Sequence, residues 1–450
     1  MNQRKNRVSE SRPYRKFLRT VCVIFALFMI ANPIRAKDYE NVDSISSEYV
    51  AVYNVQNGIF VYSKAADERT APGATAKMMT GILALEYFEG RLDTVVTVTA
   101  GALRGLEGSS VLGLKAGENI PVRDLLYALL VAGANDAANV LAIAVSGSIA
   151  DFVSEMNAKA AELGAVDTFY LNATGLDNGT AYTTAADTAK IAAYAYDNPT
   201  FMQMCSSRSY TVAATNQNEA VTVYTKNMLL STQSEYYCRD AKGMSSGYTD
   251  AAGYCIVSAM DKGAYPYICV SMGSVKNAAG KIGGYTDTEN LLTWASGNFT
   301  ELKILDKSEI ICEIPVRAGR GTDYVLVVPE ESVYAFLDID TDLSGIQLSP
   351  SLDCDSLKAP FEKGTSVGTI LILLDGEPCG STKLVTKSSV RKSAWLGFWD
   401  SIGDILKSKI FLFSVIILLL TFLIFTIGRY FLIYKKAKQK SGHKNDRNIK

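Results

Sequence analysis

The 450-residue sequence predicts an α/β (α+β) domain, then a small all-β sandwich, then a C-terminal transmembrane helix. In residues 37–298, strand-like segments at both ends enclose segments with helical spacing, so we expect the terminal strands to share one sheet. Residues 301–387 contain strand-like segments, such as 324–328 and 369–374, separated by Gly, Asp and Pro clusters, which is typical of a β-sandwich. Residues 410–428 contain no charge and are long enough to span a bilayer.

The N-terminus has the composition of an export signal. A basic run up to Arg19 precedes an apolar stretch from Val21 to Ala31, and Ala36 is a candidate cleavage point. Residues 1–36 are therefore predicted to be a signal peptide or an uncleaved N-terminal anchor.

The exported region opens with a predicted hairpin about Asn57-Gly58, between strands 49–55 and 59–62. The segment 71–80 follows and runs into a predicted helix from Met78 to Glu89, which is apolar on more than one face and is therefore expected to be buried. Lys77 lies near the first turn of this helix. A buried lysine is costly unless it has partners or a function.

The rest of the domain is predicted from its periodicity. Helical spacing occurs at 122–130, 137–145, 149–163 and 184–196, with Ser148 and Thr184 as N-caps of the last two. Strands are predicted at 209–212, 221–224, 253–259 and 267–271, and a closing helix at 287–295.

The C-terminal region predicts a membrane anchor. A connector at 388–409 carries Trp395 and Trp399 just before the predicted span at 410–434, where an interfacial aromatic belt is expected. The tail at 435–450 is rich in lysine, so it is predicted to be cytoplasmic. These features predict a cell-membrane protein with a single C-terminal span and an extracytoplasmic body.

Charge and cysteine content exclude several classes of function. The formal net charge is −1, but both chain ends are basic, so the body between them is acidic and nucleic acid is not an expected partner. The eight cysteines include no Cys-x-x-Cys pair, which argues against a zinc site. No metal or nucleotide motif is present, so no cofactor is expected, and disulfides remain possible but unspecified.

Three segments resemble, in order, the active-site motifs of the serine-type D-alanyl-D-alanine carboxypeptidases, the low-molecular-mass penicillin-binding proteins. Ala74–Lys77 resembles the Ser-x-x-Lys motif, Gly133–Asn135 the Ser-x-Asn motif, and Ser245–Gly247 the Lys-Thr-Gly strand. Linking stretches such as Asn172–Asp177, and the segment 359–364 in the second domain, resemble the same family. The resemblance implies a penicillin-binding/β-lactamase-like serine transpeptidase domain and a role in peptidoglycan metabolism.

The resemblance also implies roles for individual positions. In the family the serine attacks the substrate, the first lysine is the base, the Ser-x-Asn serine relays protons, its asparagine holds the substrate amide, and the third-motif lysine attracts the terminal carboxylate. This chain keeps Lys77, Asn135, Ser246 and Gly247. It has Ala74 at the nucleophile position, Gly133 at the relay position and Ser245 at the carboxylate-binding position. A methyl group cannot be acylated, so we expect a degenerate, catalytically inactive member.

Each retained residue also has a structural interpretation. Lys77 can pair with a carboxylate, Asn135 can cap a helix starting at Ala137, and Gly247 can allow close approach of two backbones.

Two neighbouring residues are candidate substitutes for the lost groups. Thr75 lies about 100° round the helix from Ala74, which is a poor position for a replacement nucleophile. Lys242 lies three residues before Ser245, and an odd separation on a strand predicts that it points the other way.

Three functional hypotheses follow. The first is a membrane-anchored pseudoenzyme that binds peptidoglycan stem peptides or another cell-wall protein. The second is a working D-Ala-D-Ala carboxypeptidase that uses an unrecognised nucleophile, so whether the chain is an enzyme stays open here. The third is a structural adaptor whose cleft is filled.

Overall fold

A computed structural model describes residues 44–406 and 408–445, so the predicted signal segment 1–36 lies outside the described residues. The helices are α1 (Ala76–Tyr87), α2 (Val122–Ala132), α3 (Asn135–Ser146), α4 (Ile149–Glu162), α5 (Ala185–Tyr196), α6 (Pro199–Cys205), α7 (Gly283–Asn298), α8 (Ala394–Leu406) and α9 (Lys409–Asn445). The strands are β1 (Tyr49–Asn54), β2 (Ile59–Lys64), β3 (Val95–Thr97), β4 (Asn119–Pro121), β5 (Ser209–Val212), β6 (Val221–Tyr224), β7 (Ala241–Thr249), β8 (Gly253–Met260), β9 (Tyr267–Ser274), β10 (Phe299–Leu305), β11 (Cys312–Arg317), β12 (Tyr324–Pro329), β13 (Val333–Asp338), β14 (Ile346–Leu352), β15 (Leu357–Lys358), β16 (Ser366–Leu374) and β17 (Glu377–Thr386).

The chain divides into two compact units. The first contains the residues up to Leu302 together with Phe336–Asp342, and the second contains Lys303–Ala335 and the residues from Leu343 onward. The first unit is built on a five-stranded sheet of order β2-β1-β9-β8-β7. β1 pairs antiparallel with β9, with Val52 opposite Cys269. The prediction that the first and last strands of this domain share a sheet is therefore confirmed.

The two faces of this sheet bury two separate apolar cores. On β9, Ile268, Val270 and Met272 pack into the core beneath α1 to α6, whereas Tyr267 and Cys269 pack on the opposite face against α7. This alternation is the period-two pattern of a strand that is covered on both sides. It produces a three-layer arrangement in which α1 lies deep between the sheet and the other helices.

α1 is the buried central helix that the sequence predicts. Met78, Met79 and Leu85 are each at most 4% exposed. The helix begins at Ala76, two residues earlier than predicted, because a 3₁₀ turn at Gly73–Thr75 leads directly into it. The predicted N-caps are also confirmed: Ser148 and Thr184 accept hydrogen bonds from the amides of Asp151 and Asp187.

Some local predictions are wrong. The helix expected from Ala137 begins at Asn135, and its N-cap is Ala134, which offers no side-chain acceptor. The strands predicted at 209–212 and 221–224 are confirmed as β5 and β6, which form a separate two-stranded sheet. The closing helix α7 is longer than predicted at both ends.

The six-stranded sheet of the second unit, of order β14-β16-β17-β12-β11-β15, confirms the all-β prediction for this part of the chain. β11 and β15 run parallel, while the other pairs in the six-stranded sheet are antiparallel.

The C-terminal helices match the predicted connector and span. Within the described residues one helix is long and apolar enough to cross a membrane, with a 26-residue candidate span at Ile410–Lys435. α8 precedes it and exposes Trp395, Phe398 and Trp399. The seven cysteines from Cys205 to Cys379 form no disulfide in the described part of the chain.

Candidate functional site

The first motif lies in the 3₁₀ turn that leads into α1. Ala74 is 7% exposed, and its side chain ends in a methyl group. Thr75 is 2% exposed, and its hydroxyl donates to the Pro72 carbonyl at 2.6 Å. The Thr75 hydroxyl is therefore used to stabilise the turn, which agrees with the expectation that it is a poor replacement nucleophile.

Lys77 lies on the first turn of α1, with a partly buried side chain. Its amine donates to the Thr174 carbonyl at 2.6 Å. Burial lowers the pKa of Lys77 from 10.5 to about 8, because the charged form loses its hydration. Its partner is a carbonyl, so within the described residues Lys77 does not form the structural ion pair that is one interpretation of its retention.

The second motif forms the tight connection between α2 and α3. Gly133 ends α2 in the left-handed conformation, with φ of +67°. Asn135 follows as the first residue of α3 and is 2% exposed, and its amide donates to the Ser110 carbonyl at 2.8 Å. Its side-chain oxygen Oδ1 has no hydrogen-bond partner within the described chain. A buried amide oxygen without a partner is uncommon, and it is a candidate contact for a ligand.

Asp136, which the sequence analysis did not single out, fixes the loop beside this connection. Its carboxylate accepts the amides of Leu112, Gly113 and Leu114 at 2.8 to 3.0 Å. Hydrogen bonds from backbone amides to a buried carboxylate are strong, so this residue holds the 112–114 loop against α3. An acidic residue in the first turn of a helix was the available sequence signal.

The third motif lies on β7, which is the edge strand of the five-stranded sheet. The Ser245 hydroxyl donates to the Ala74 carbonyl at 3.0 Å. Gly247 lies against the first motif, because a β-carbon at Gly247 would be 2.6 Å from the β-carbon of Ala74. Gly247 thus allows the close approach of β7 to the 3₁₀ turn, as one of the interpretations of this glycine expected.

Lys242 does not reach this site. The strict alternation of β7 is interrupted by a bulge between Gly243 and Ser245, so the argument from odd spacing does not apply. The Lys242 amine instead forms an ion pair with Asp261, in the turn between β8 and β9. The expectation that Lys242 is a poor substitute therefore holds for a different physical reason.

The loop at 172–177 closes the other side of the first motif. Asn172 Oδ1 accepts the amides of Thr174 and Gly175 at 3.1 and 2.6 Å, which orients the Thr174 carbonyl toward Lys77. Asp177 accepts the Thr249 hydroxyl at 2.7 Å and so ties the loop to the end of β7. In the sequence, this stretch is indicated only by its resemblance to the family. That it orients the Thr174 carbonyl toward Lys77 is evident only from the fold.

The structure thus gathers residues from all three motifs around one small cavity. The lining includes Lys77, Gly133, Ser245 and Ser246. Its volume is about 20 Å³, which is enough for roughly one water molecule. Lys226 also lines it and was missed, because a lysine in the turn after β6 follows no pattern that marks it in the sequence.

A larger cavity of about 360 Å³ lies on the other side of the 172–177 loop. Arg69, Pro72, Asp177 and Tyr182 contribute to its lining. Arg69 is paired with Asp167 at 2.6 Å, and Asp177 is occupied by Thr249. The two charged side chains of this lining, Arg69 and Asp177, therefore already have partners within the chain.

The chemistry available beside Lys77 is limited. Ala74 supplies no hydroxyl, Gly133 supplies none, and the Ser245 hydroxyl is donated to a backbone carbonyl. Lys77 has the lowered pKa that suits a general base, but no acidic hydroxyl hydrogen-bonds to it in the described structure. The arrangement can accept polar contacts from a ligand more readily than it can form a covalent intermediate.

Comparisons with known proteins agree with this fold in both units. A family model described as D-alanyl-D-alanine carboxypeptidase matches residues 36–276. A second, described as penicillin-binding protein 5, C-terminal domain, matches residues 299–392.

Individual relatives match at low to moderate identity. The chain is similar to the D-alanyl-D-alanine carboxypeptidase DacF of Bacillus subtilis, with 24% identity over 404 residues covering 88% of this chain and 100% of the relative. It is 32% identical over 222 residues to the D-alanyl-D-alanine carboxypeptidase of Streptomyces sp. strain K15, covering 47% of this chain and 75% of the relative.

Solved structures show the same fold. Penicillin-binding protein 5 from Haemophilus influenzae aligns with a TM-score of 0.57 and 25% identity, covering 77% of this chain and 98% of its own. DacD from Francisella tularensis aligns with a TM-score of 0.61 and 23% identity, covering 80% and 97%, which supports the fold alone. With a family model matched over more than half of its length and every motif segment placed around one site, this chain belongs to the D-alanyl-D-alanine carboxypeptidase family.

Proposed function

We propose that this protein is a membrane-anchored, catalytically inactive family member that binds the D-Ala-D-Ala end of peptidoglycan stem peptides on the outer side of the membrane. One observation supports this most directly. In the 3₁₀ turn before α1, where the family resemblance places the nucleophile, the chain has the methyl group of Ala74 packed against Gly247.

The groups that surround Ala74 support the loss of catalysis. The nearby hydroxyls of Thr75 and Ser245 both donate to backbone carbonyls. Loss of a serine nucleophile costs on the order of a millionfold in turnover. Ser246 also lines the cavity, but within the described structure its hydroxyl makes no hydrogen bond to Lys77, whose amine donates to the Thr174 carbonyl.

The polar groups of the site that can bind a ligand without reacting with it support retained recognition of a peptide. Asn135 Oδ1 is buried and has no partner, and Ser246 lines the cavity beside Lys77. β7 is the edge strand of its sheet, so its outer side can add an extended peptide as a further strand. The proposed binding site therefore combines the outer edge of β7 with the small polar cavity.

The size of the cavity favours one second candidate. About 20 Å³ beside Lys77 admits only a small part of any ligand, as expected for a structural adaptor whose cleft is filled. In that case the partner would be another cell-wall protein, and stem peptides would not bind.

The first test is the intact mass of the full chain in detergent after incubation with a penicillin. We expect no adduct on the wild type, and none on Ala74→Ser, because Gly133 and Ser245 still lack the relay hydroxyl and the cation. Penicillin-binding protein 5 from Haemophilus influenzae serves as the positive control. A stoichiometric adduct on the wild type would overturn the pseudoenzyme proposal and support the working carboxypeptidase.

The second measurement separates the two non-catalytic candidates. Isothermal titration of the full chain with a stem pentapeptide ending in D-Ala-D-Ala should show saturable binding, with no release of D-alanine. If the pentapeptide does not bind, the stem-peptide proposal is wrong and the adaptor candidate is favoured.

A further inference from the structure

The β5–β6 hairpin packs on α2, the helix that leads into the second motif. Its two strands form a separate sheet, and a two-stranded hairpin is only marginally stable by itself, so packing must hold it in place. The Tyr210 ring stacks on the Tyr127 ring with centroids 3.7 Å apart, and the Tyr210 hydroxyl donates to the Asp124 carboxylate at 2.6 Å. After β6, the Lys226 amide donates to the Val131 carbonyl at 3.0 Å. Both ends of the hairpin are therefore fixed to α2.

The turn of this hairpin, residues 213–220, is bound to the 113–118 loop. Glu118 lies at the centre of this contact and is 1% exposed. Its carboxylate accepts the Thr215 hydroxyl at 2.7 Å and the Asn218 side-chain amide at 2.9 Å. Hydrogen bonds to a carboxylate are strong, so the turn is held firmly against this loop.

Asn218 extends this contact to the second motif. Its side-chain amide also donates to the Gly113 carbonyl at 3.1 Å. The Gly113 amide in turn donates to the Asp136 carboxylate at 2.9 Å, and the Ser110 carbonyl of the same loop accepts the Asn135 amide at 2.8 Å. A short chain of hydrogen bonds therefore joins Asn218 to the main chain of Asn135, whose buried Oδ1 has no partner within the described chain.

We propose that Asn218 is a positioning residue for peptide binding, which acts through the 110–114 loop to hold Asn135 Oδ1 in the orientation that contacts the ligand. A binding group that is already oriented loses less conformational freedom when the ligand binds, so the affinity is higher. This inference rests on the proposed function, since it names a residue that prepares the same site. Asn218 itself is not assigned a contact with the peptide.

The test compares two asparagines of the same turn in the full chain in detergent. Asn218→Ala removes the bond to the Gly113 carbonyl, whereas Asn216→Ala removes a bond to the Gly117 carbonyl at 3.0 Å and one from the Asn119 amide at 2.8 Å. Isothermal titration with the D-Ala-D-Ala pentapeptide should show about tenfold weaker binding for Asn218→Ala and wild-type binding for Asn216→Ala. Equal affinities of the two variants would overturn the proposal, and thermal unfolding shows that both are folded.

A double-variant cycle tests whether Asn218 acts through Asn135. Asn135→Ala removes the proposed contact and should weaken binding by itself. Adding Asn218→Ala to this variant should cause no further loss, because a side chain that is absent cannot be misoriented. Independent losses that multiply in the double variant would show that Asn218 does not act through Asn135 and would overturn the positioning role.

Hydrogen exchange gives a second measurement, which does not depend on the ligand. In Asn218→Ala the amides of residues 112–114 should exchange faster than in the wild type, because the loop is held less firmly. In Asn216→Ala they should exchange at the wild-type rate. Unchanged exchange in Asn218→Ala would contradict the proposed link between the turn and the loop.

The outcomes separate this inference from the proposed function. Binding of the pentapeptide to wild type and Asn218→Ala with equal affinity would overturn the role of Asn218 and leave stem-peptide binding standing. Absence of binding to the wild type would overturn both.

Discussion

Lys77 is held at the start of α1 by a carbonyl and not by a charge. Its amine donates to Thr174 at 2.6 Å, and burial lowers its pKa to about 8. A lysine with a lowered pKa contributes an unfavourable term to folding at neutral pH, because the unfolded chain binds its proton more tightly. Burial of Lys77 therefore lowers the free energy of unfolding at neutral pH, and favourable packing elsewhere in the fold offsets this loss.

The free energy of unfolding should therefore depend on pH through the titration of Lys77. Between about pH 8 and 10.5 the unfolded state binds more protons than the folded state at Lys77, so the free energy of unfolding rises with pH. The shift corresponds to about 3 kcal/mol at most. From pH 7 to pH 10.5 the wild type should therefore gain up to that amount of unfolding free energy through Lys77, whereas Lys77→Met should not. The difference in free energy of unfolding, Lys77→Met minus wild type, should fall accordingly. Denaturant titration of the full chain at each pH measures it.

The matched control for this titration is Lys115→Met, which removes an exposed amine that donates to the Gln217 carbonyl at 2.9 Å. A Lys77→Met curve that runs parallel to the wild-type curve across this range would contradict the assignment of a lowered pKa.

Asn135 shows how a single residue can be identified but misinterpreted from the sequence. Its position in the second motif was clear from the Gly133–Asn135 spacing, and helix capping was one of its two interpretations. That interpretation is wrong, because α3 begins at Asn135 itself. The unpaired Oδ1 depends on which groups of other elements come near it. No sequence pattern indicates which groups of other elements come near this oxygen.

At the scale of elements, the 172–177 loop and the first motif are in direct backbone contact. A β-carbon at Gly175 would lie 1.8 Å from the Gly73 carbonyl oxygen, which is far inside van der Waals contact. Gly175 also has φ of +75°, a conformation that side chains disfavour. The loop can orient the Thr174 carbonyl toward Lys77 only because this position has no side chain.

Substitution at Gly175 should therefore be severely destabilising. Gly175→Ala combines left-handed strain with a backbone clash, whereas Gly164→Ala, with φ of +71° and open space around it, has the strain alone. We expect about 1 kcal/mol for Gly164→Ala and at least about 2 kcal/mol more for Gly175→Ala. Comparable unfolding midpoints for the two variants would disprove the close contact.

The bulge in β7 is a second feature that operates at this scale. Strict alternation predicted that Lys242 points away from Ser245, but the register shifts between Gly243 and Ser245. Lys242 is instead removed from the site by its pair with Asp261. Bulges depend on the pairing partner, so the sequence of one strand does not predict them.

At the scale of the whole molecule, the orientation of the candidate span in α9 sets the side of the membrane on which the proposed site lies. Its apolar span Ile410–Lys435 is followed by a lysine-rich tail, and this order predicts a cytoplasmic C-terminus and an exported body. The proposed binding of stem peptides requires that orientation.

Reporter fusions test the topology directly. Alkaline phosphatase fused after Lys387 should be active, and the same enzyme fused after Lys450 should be inactive, because it folds only when it is exported. Green fluorescent protein at the same two sites should give the reverse pattern. An active phosphatase at Lys450 would place the tail outside and would refute the predicted orientation.

The sequence by itself determined the order of the elements, the family resemblance and the absence of a hydroxyl at Ala74. These follow from local periodicity, turn residues and motif spacing, which are properties of neighbouring residues. It also predicted the buried α1, because apolar residues such as Met79 and Leu85 lie on more than one helix face.

Only the tertiary structure decided what the retained residues contact. The Lys77–Thr174 bond joins residues 97 positions apart, and the Ser245–Ala74 bond joins residues 171 positions apart. Lys226 lies at the site because the chain after β6 packs beside Val131. Such contacts depend on how distant elements pack together, and their geometry at the level of single atoms is not encoded in any local pattern.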